Sequence, residues 1–350
     1  MNPRVSKCRL VRMWEANVND YVRRLVSTRD ESTLVVGTAS GETHVLDAIS
    51  GDVRANWSAH EGGLLALELH PAKNQAATGG SDGRLRLWSL TGELLGEYTT
   101  GSAWVEHIAW EPGGSSVALA AGRRISLLNA KAEFKAQSSL RPSTVSGLSW
   151  ASNPDQLWSS EMGSTRRWDL ESLTELACHS SPGALIGIAV QPNARTVACP
   201  AQDRTVRYFR TANSHIGTLP ETNYKPSPLC WSPSGHRLAQ GGSEQVLLWD
   251  FDAPRNITEI TPDDWAPRAT VLDFHLARVS ALAFASGLGY LASGSVDGSL
   301  AVWELASGRR LATGINSAEI TTLCWLSKAR ILCASTSSGS IVASRLEDRA

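Results

Sequence analysis

Residues 279–313 read VSALAF, ASGLG, YLASGS, VDG, SLAVWEL, ASG, RRLAT. Runs of five to seven apolar or alternating residues are separated by short stretches of Gly, Ser and Asp, and such runs are strand signals bounded by turn chemistry. The same order of events occurs at 64–99 as LLALEL, HPAKN, QAATGG, SDG, RLRLWSL, TG, ELLGEYT. Each stretch therefore predicts four short strands in sequence, and no segment of the chain shows a persuasive helical period.

The opening run recurs as VEHIAW (105–110), VSGLSW (145–150), PSPLCW (226–231) and ITTLCW (320–325). LIGIAV (185–190) fits the frame with an aliphatic end, and YVRRLV (21–26) fits less well. From 64 onward the starts fall at 64, 105, 145, 185, 226, 279 and 320, at intervals of 41, 40, 40, 41, 53 and 41 residues. A fixed period near forty with four strands per unit predicts an all-β chain, a single propeller of four-stranded blades each packed on its neighbours. Eight first strands favour eight blades, and a seven-blade ring would leave the unit from 21 outside. The last unit ends at Ala350 without a fourth strand, and the strand-like segment CRLVRMWEA (8–16) is free to supply it. Closing the ring with this N-terminal strand removes an exposed terminal edge. The whole of 1–350 is then one domain, and the long interval marks an inserted loop at 252–268 with three prolines, Asp263, Asp264 and Trp265.

Composition fits this reading. The 350 residues are 42% hydrophobic and 19% charged, and 33 basic against 34 acidic residues leave a net charge of −1. A nucleic-acid binder usually carries a basic excess, and none is present here; Arg4, Lys7, Arg9 and Arg12 read as a solvated flank. Six scattered cysteines without C-x-x-C spacing point to a reducing, cytoplasmic setting. No run of eighteen apolar residues predicts a membrane span.

The chain resembles the WD-repeat family. That family ends its third strand with Trp-Asp and precedes its first with Gly-His. Trp168-Asp169 and Trp249-Asp250 are intact, and Trp88-Ser89 and Trp303-Glu304 are near variants. Ala59-His60 and Phe274-His275 stand where Gly-His would be. The resemblance implies a buried hydrogen-bonded set in two blades: His60, Thr78, Asp82 and Trp88, and His275, Ser293, Asp297 and Trp303. In it the Asp accepts from the imidazole, the imidazole from the hydroxyl, and the hydroxyl from the indole. A buried polar chain stabilises only when every member is satisfied. Recurrence in two blades, with the Trp included, argues against reading His, Ser and Asp as a catalytic triad. Leu46, Leu128, Phe209 and Ser344 take the Trp position in other blades, which implies apolar packing there with little or no polar set.

The family's partners commonly use the loops before the first strands and between the second and third. Carried onto this chain, those positions are Gly63, Trp104, Thr144, Ala184, Lys225, Arg278 and Glu319, with Glu106 and Ser280 two residues further on. The resemblance thus implies a non-enzymatic scaffold, a monomer that joins larger protein complexes. Expected partner-binding residues are Trp104, Glu106, Lys225, Arg278, Glu319 and, on the inserted loop, Trp265. Trp and Arg are the types that dominate interface energetics. No catalytic residue, cofactor or metal is expected: H-E-x-x-H, zinc-spaced His/Cys clusters, P-loops and G-x-S-x-G are all absent from the sequence. The alternative is a metal-handling or hydrolytic site at the channel mouth.

Overall fold

In the computed structural model, which describes residues 8–101, 103–152, 155–212, 215–252 and 267–349, the chain forms eight antiparallel sheets. Their first strands are Val22–Ser27, Leu64–Leu69, Val105–Trp110, Val145–Ser152, Ala189–Val190, Leu229–Trp231, Val279–Ala285 and Ile320–Leu326; we number the blades 1 to 8 in this order. Each first strand contacts those of the two adjacent blades, and that of blade 8 contacts that of blade 1, so the ring is closed with the first strands innermost. The described residues include no α-helix, only a 3-10 turn at Ser327–Ala329.

Blade 8 is completed from the other end of the chain. Cys8–Asn17 pairs antiparallel with Ser340–Asp348, from Cys8 opposite Asp348 to Asn17 opposite Ser340, with one bulge between Arg12 and Trp14. Val18 N–H then donates to Gly339 O at 3.0 Å, and Ser340 Oγ donates to Glu15 at 2.7 Å. The outer edge of Ser340–Asp348 is thereby covered.

The buried apolar residues fall into eight clusters, one between each pair of neighbouring blades. Leu323, Trp325 and Leu332 meet Val302 and Leu311 between blades 8 and 7, and Leu326, Ile331 and Ile341 meet Leu25, Leu34 and Leu46 between blades 8 and 1. A sheet packed on both faces needs apolar residues on both, which is why the inner strands read as nearly continuous apolar runs.

Four local expectations are corrected. The first strand of blade 1 starts at Val22, one residue later than its sequence frame. In blade 5 it shrinks to Ala189–Val190 with an isolated bridge from Leu185 to Ala201. Opposite the gap lies Pro200, which has no N–H to give the ladder. In blade 6 it starts at Leu229 rather than 226, because Pro226 and Pro228 cannot donate. In blade 4 the second and third strands run as one stretch, Asp155–Trp168. Its first half pairs with Val145–Ser152 and its second half with Glu175–Ala184. Trp168 Nε1 donates to Ser159 Oγ at 2.9 Å; a straight strand would hold these residues about 30 Å apart. The stretch therefore doubles back, with Gly163 at φ +78° beside the turn.

Candidate docking face

One backbone hydrogen bond fixes the loops on one side of the ring. Ala39 N–H donates to Tyr21 O, Ser81 to Gly63, Gln202 to Ala184, Val296 to Arg278 and Ser337 to Glu319, at 2.9–3.1 Å. The residue before the first strand is thus registered against the turn between the second and third strands. Arg278, Glu319 and Tyr21 hold equivalent positions in the consecutive blades 7, 8 and 1. They share a local field: burial raises the Tyr21 phenol above its ordinary pKa, Glu319 adds to the rise, and Arg23 and Arg278 oppose it.

Of the other expected contact residues, Trp104 is 56% exposed in blade 3, Lys225 is exposed, and Glu106 and Glu319 are half-buried. Lys225 lacks the registering bond, because its segment is bent by Pro226 and Pro228; its carbonyl accepts from Ser227 N–H at 2.8 Å. Trp265 lies outside the described residues, as does most of 252–268.

The same side carries apolar groups that the sequence frame did not single out. Leu276 is 89% exposed in the loop before blade 7, and Ile315, Met162, Leu140, Tyr224 and Tyr21 are exposed in the same tier of loops and strand ends. Among the described residues, no large hydrophobic is exposed in the loops between first and second strands, on the opposite side. Tyr21, like Arg278, was legible as the residue before a first strand once the blade 1 frame is shifted by one.

Beneath this face lie the polar sets. In blade 2, His60 Nδ1 is 2.9 Å from Asp82 Oδ1 and Nε2 is 2.8 Å from Thr78 Oγ1, while Trp88 Nε1 donates to Thr78 Oγ1 at 2.9 Å. In blade 7 the arrangement differs. His275 Nε2 lies 2.7 Å from Ser293 Oγ and Trp303 Nε1 donates to that oxygen at 2.8 Å, but Nδ1 meets Ser299 Oγ at 2.6 Å rather than Asp297. Asp297 instead accepts from Leu276 N–H at 3.0 Å and Ser299 N–H at 2.7 Å. The difference has a steric cause. A Cβ on Gly80 would lie 2.3 Å from His60 Nδ1, and blade 7 has Ser295 at the equivalent position. Burial lowers the pKa of both imidazoles despite the nearby carboxylates, to about 4 for His275, so both are neutral near pH 7.

Blade 4 holds a set that the sequence pattern did not reveal. Arg141 stands four residues before Val145, as His60 stands before Leu64, and donates from Nη2 to Glu161 Oε1 at 3.1 Å. Glu161 also accepts from Arg166 Nε at 2.6 Å and Ser164 Oγ at 3.0 Å, and the Arg141 guanidinium lies 5.3 Å from the centre of the Trp168 ring. The spacing alone was the available signal.

The family model for the WD domain, G-beta repeat, matches residues 51–89 and 267–304. The chain is a propeller that carries WD repeats at these two stretches. Each match runs from an outer strand through the first three strands of the next blade, and those two blades, 2 and 7, are the ones whose sequence keeps His, Ser or Thr, Asp and Trp. The other blades hold only part of that signature. Relatives include WD repeat-containing protein slp1 of Schizosaccharomyces pombe, 27% identical over 45% of this chain and 31% of that one. Protein transport protein sec13 of Aspergillus fumigatus is 25% identical over 67% of this chain and 90% of its own. The chain thus spans less than a third of slp1 and most of sec13. The crystal structure of the computationally designed Ika8 protein superposes with a TM-score of 0.79 at 19% identity, over 96% of this chain and 99% of that one; it shares the fold. Among the described residues of the propeller, no helix is long and apolar enough to cross a membrane, and no three His, Cys, Asp or Glu side chains are grouped to hold a metal.

Proposed function

We propose that this WD-repeat propeller is a non-catalytic docking scaffold, a single domain over 1–350 with an insertion at 252–268, which binds other proteins through the loops before its first strands. The observation that carries the reading is the asymmetry of the two ring faces. Exposed apolar anchors and cations (Trp104, Leu276, Tyr21, Arg23, Arg278, Lys225) gather on one face, whereas on the opposite face the loops between first and second strands expose no large hydrophobic among the described residues and Ile49 stands in a loop between third and fourth strands. Exposed apolar groups rimmed by charge mark protein contact surfaces. Glu106 and Glu319 give the rim mixed polarity, which suits a protein partner better than a polyanion such as nucleic acid. Cys178, Cys199, Cys230, Cys324 and Cys333 stand outside disulfides, in keeping with a reducing, cytoplasmic setting, and we take the protein to be a monomer that joins hetero-complexes.

The test is a Trp104→Ala, Arg278→Ala double variant compared with wild type by quantitative affinity purification from the native cell. Loss of a hot-spot residue typically costs about 2 kcal/mol or more, over tenfold in affinity. The variant is expected to keep its melting temperature and lose most partners recovered with wild type. Equal recovery of the same partners would overturn this choice of face.

A further inference from the structure

On the opposite side of the ring, the first strands of blades 2, 3 and 4, the loops that follow them and Arg29 in the corresponding loop of blade 1 line a cleft of about 530 Å³. Glu68, Trp110, Trp150, Arg29, Pro71 and Pro112 are among its walls. Glu68 breaks a pattern. It is the next-to-last residue of the repeated inner-strand frame, and its counterparts are Val26, Ala109, Ser149, Ala189, Cys230, Ala283 and Cys324, all small or uncharged. A carboxylate on an inner wall costs free energy unless it is paired. Glu68 has one hydrogen bond among the described residues, from Trp110 N–H to Oε2 at 3.2 Å, and no ion pair.

Trp110 breaks a second pattern, independent of the first. Trp150, Trp231 and Trp325 each donate Nε1 to an inner-strand carbonyl of the preceding blade, Ala109, Ala189 and Ala283, at 2.9–3.1 Å. Trp110 is 6% exposed, yet its Nε1 has no partner among the described residues, and its ring instead sits 4.7 Å from that of His70. The seam between blades 2 and 3 therefore forgoes a bond that three other seams make, at the place where the half-buried Glu68 stands.

We propose that this cleft is a second binding site, for a lysine or arginine side chain carried by a peptide. The Glu68 carboxylate neutralises the cation, and the Trp110 and Trp150 side chains that line the cleft pack its apolar stem. Arg29, in the same wall, has no ion-pair partner among the described residues and, as a like charge, opposes the cation that Glu68 attracts. A peptide offers its guanidinium carbonyl acceptors as well. The site is independent of the docking face, so either proposal stands or fails alone.

The charged and titratable groups acting around Glu68 set a pH signature. Burial pushes its carboxyl up to about 7, against the Trp110 N–H and Arg24, while burial holds neighbouring His107 down at about 4 and so neutral. Burial lowers the pKa of the Arg24 guanidinium, and Glu68 opposes that fall. Cation binding therefore follows ionisation of Glu68 and strengthens from pH 6 to pH 8.

The experiment uses the intact chain, ¹⁵N-labelled, with the indole N–H signals of Trp110 and Trp150 as reporters. The probes are Nα-acetyl-arginine and Nα-acetyl-lysine N-methylamides, with the uncharged Nα-acetyl-norleucine N-methylamide as control. Saturable shifts at both indoles are expected with the two cations and not with norleucine, about tenfold weaker at pH 6 than at pH 8. Glu68→Gln keeps an oxygen for the Trp110 N–H and is expected to fold and lose the binding. Absence of saturation with both cations overturns the proposal, as does equal binding of norleucine or by Glu68→Gln. The pH series on wild type is decisive even if the variant is unstable: binding of equal strength at pH 6 and 8 rejects Glu68 as the partner.

Discussion

The ion-paired set of blade 4 gives the sharpest stability prediction. Glu161 and Arg141 have side chains only 3% and 8% exposed. Glu161→Gln preserves shape but removes the charge, leaving Arg141 with Glu175, 3.9 Å away and 37% exposed, as its nearest anion. Breaking a buried pair by removing one partner costs about 3–5 kcal/mol. With an unfolding entropy of roughly 2.1 cal/mol/K per residue over the chain, that loss lowers Tm by about 5 °C. Differential scanning calorimetry at pH 7 reads it directly. Replacing both partners by apolar groups, Arg141→Met with Glu161→Leu, removes the unpaired charge and is expected to cost less than Glu161→Gln alone. The pair also has a pH limit. Burial alone would raise the Glu161 carboxyl, but hydrogen bonds from Arg141, Arg166 and Ser164 outweigh it and hold the pKa below its ordinary value of 4.5. A depressed carboxyl contributes its stability above the unfolded-state pKa and loses it as pH falls through the folded one, so the Tm gap between wild type and Glu161→Gln is expected to narrow below about pH 4.5. A Gln variant melting within about 1 °C of wild type at pH 7 would show that the buried pair contributes little, as would a double variant worse than the single.

Three further outcomes follow from the geometry. Asp82→Ala is expected to cost about 1–3 kcal/mol, because it strips His60 Nδ1 of its acceptor, and Asp297→Ala less, because His275 Nδ1 meets Ser299 instead; chemical denaturation of the two variants ranks them, and the reverse order refutes the assignment. His275, held at about 4 by burial, binds a proton more readily when unfolded, so its stabilisation is complete above about pH 6.5 and declines as pH falls toward 4. By pH 5 the loss is roughly 2 kcal/mol; His275→Gln should flatten that part of the pH–stability curve, and an unchanged slope would exclude the histidine as its source. Deleting residues 1–16 uncovers the edge of Ser340–Asp348 and is expected to lower Tm or cause aggregation, which melting and light scattering report; an unchanged melt would contradict closure by this strand.

The ring itself was legible because its signal is periodic: a forty-residue interval survives the loss of Trp from half the blades. Ring closure followed from counting strands, since one unit was short by one and one segment was left over. What escaped was set by interactions the period does not encode. Pro200, Pro226 and Pro228 shorten inner strands that read as apolar runs, since hydropathy does not register a missing N–H. The blade 4 set escaped because Arg141 takes the place of His, while Glu161 stands at the end of the second strand, where blade 2 has Gly80, and not at the turn position of Asp82. Ser299 entered the blade 7 set because Ser295 carries a Cβ where Gly80 has none, a steric detail visible only across strands. Leu276 drew no attention as one leucine among many; only its exposure distinguishes it.

Docking through the loops before the first strands can be tested by site-specific cross-linking. A photo-reactive phenylalanine analogue is placed at Leu276 in one variant and at Ser286 in another, both exposed and both in blade 7, but on opposite sides of its sheet ends. Irradiation in the native cell, followed by denaturing purification, is expected to join partner protein to the Leu276 variant and not to the Ser286 variant. Cross-links confined to position 286, with both variants folded, would place the partner on the other face of the ring and contradict docking through these loops.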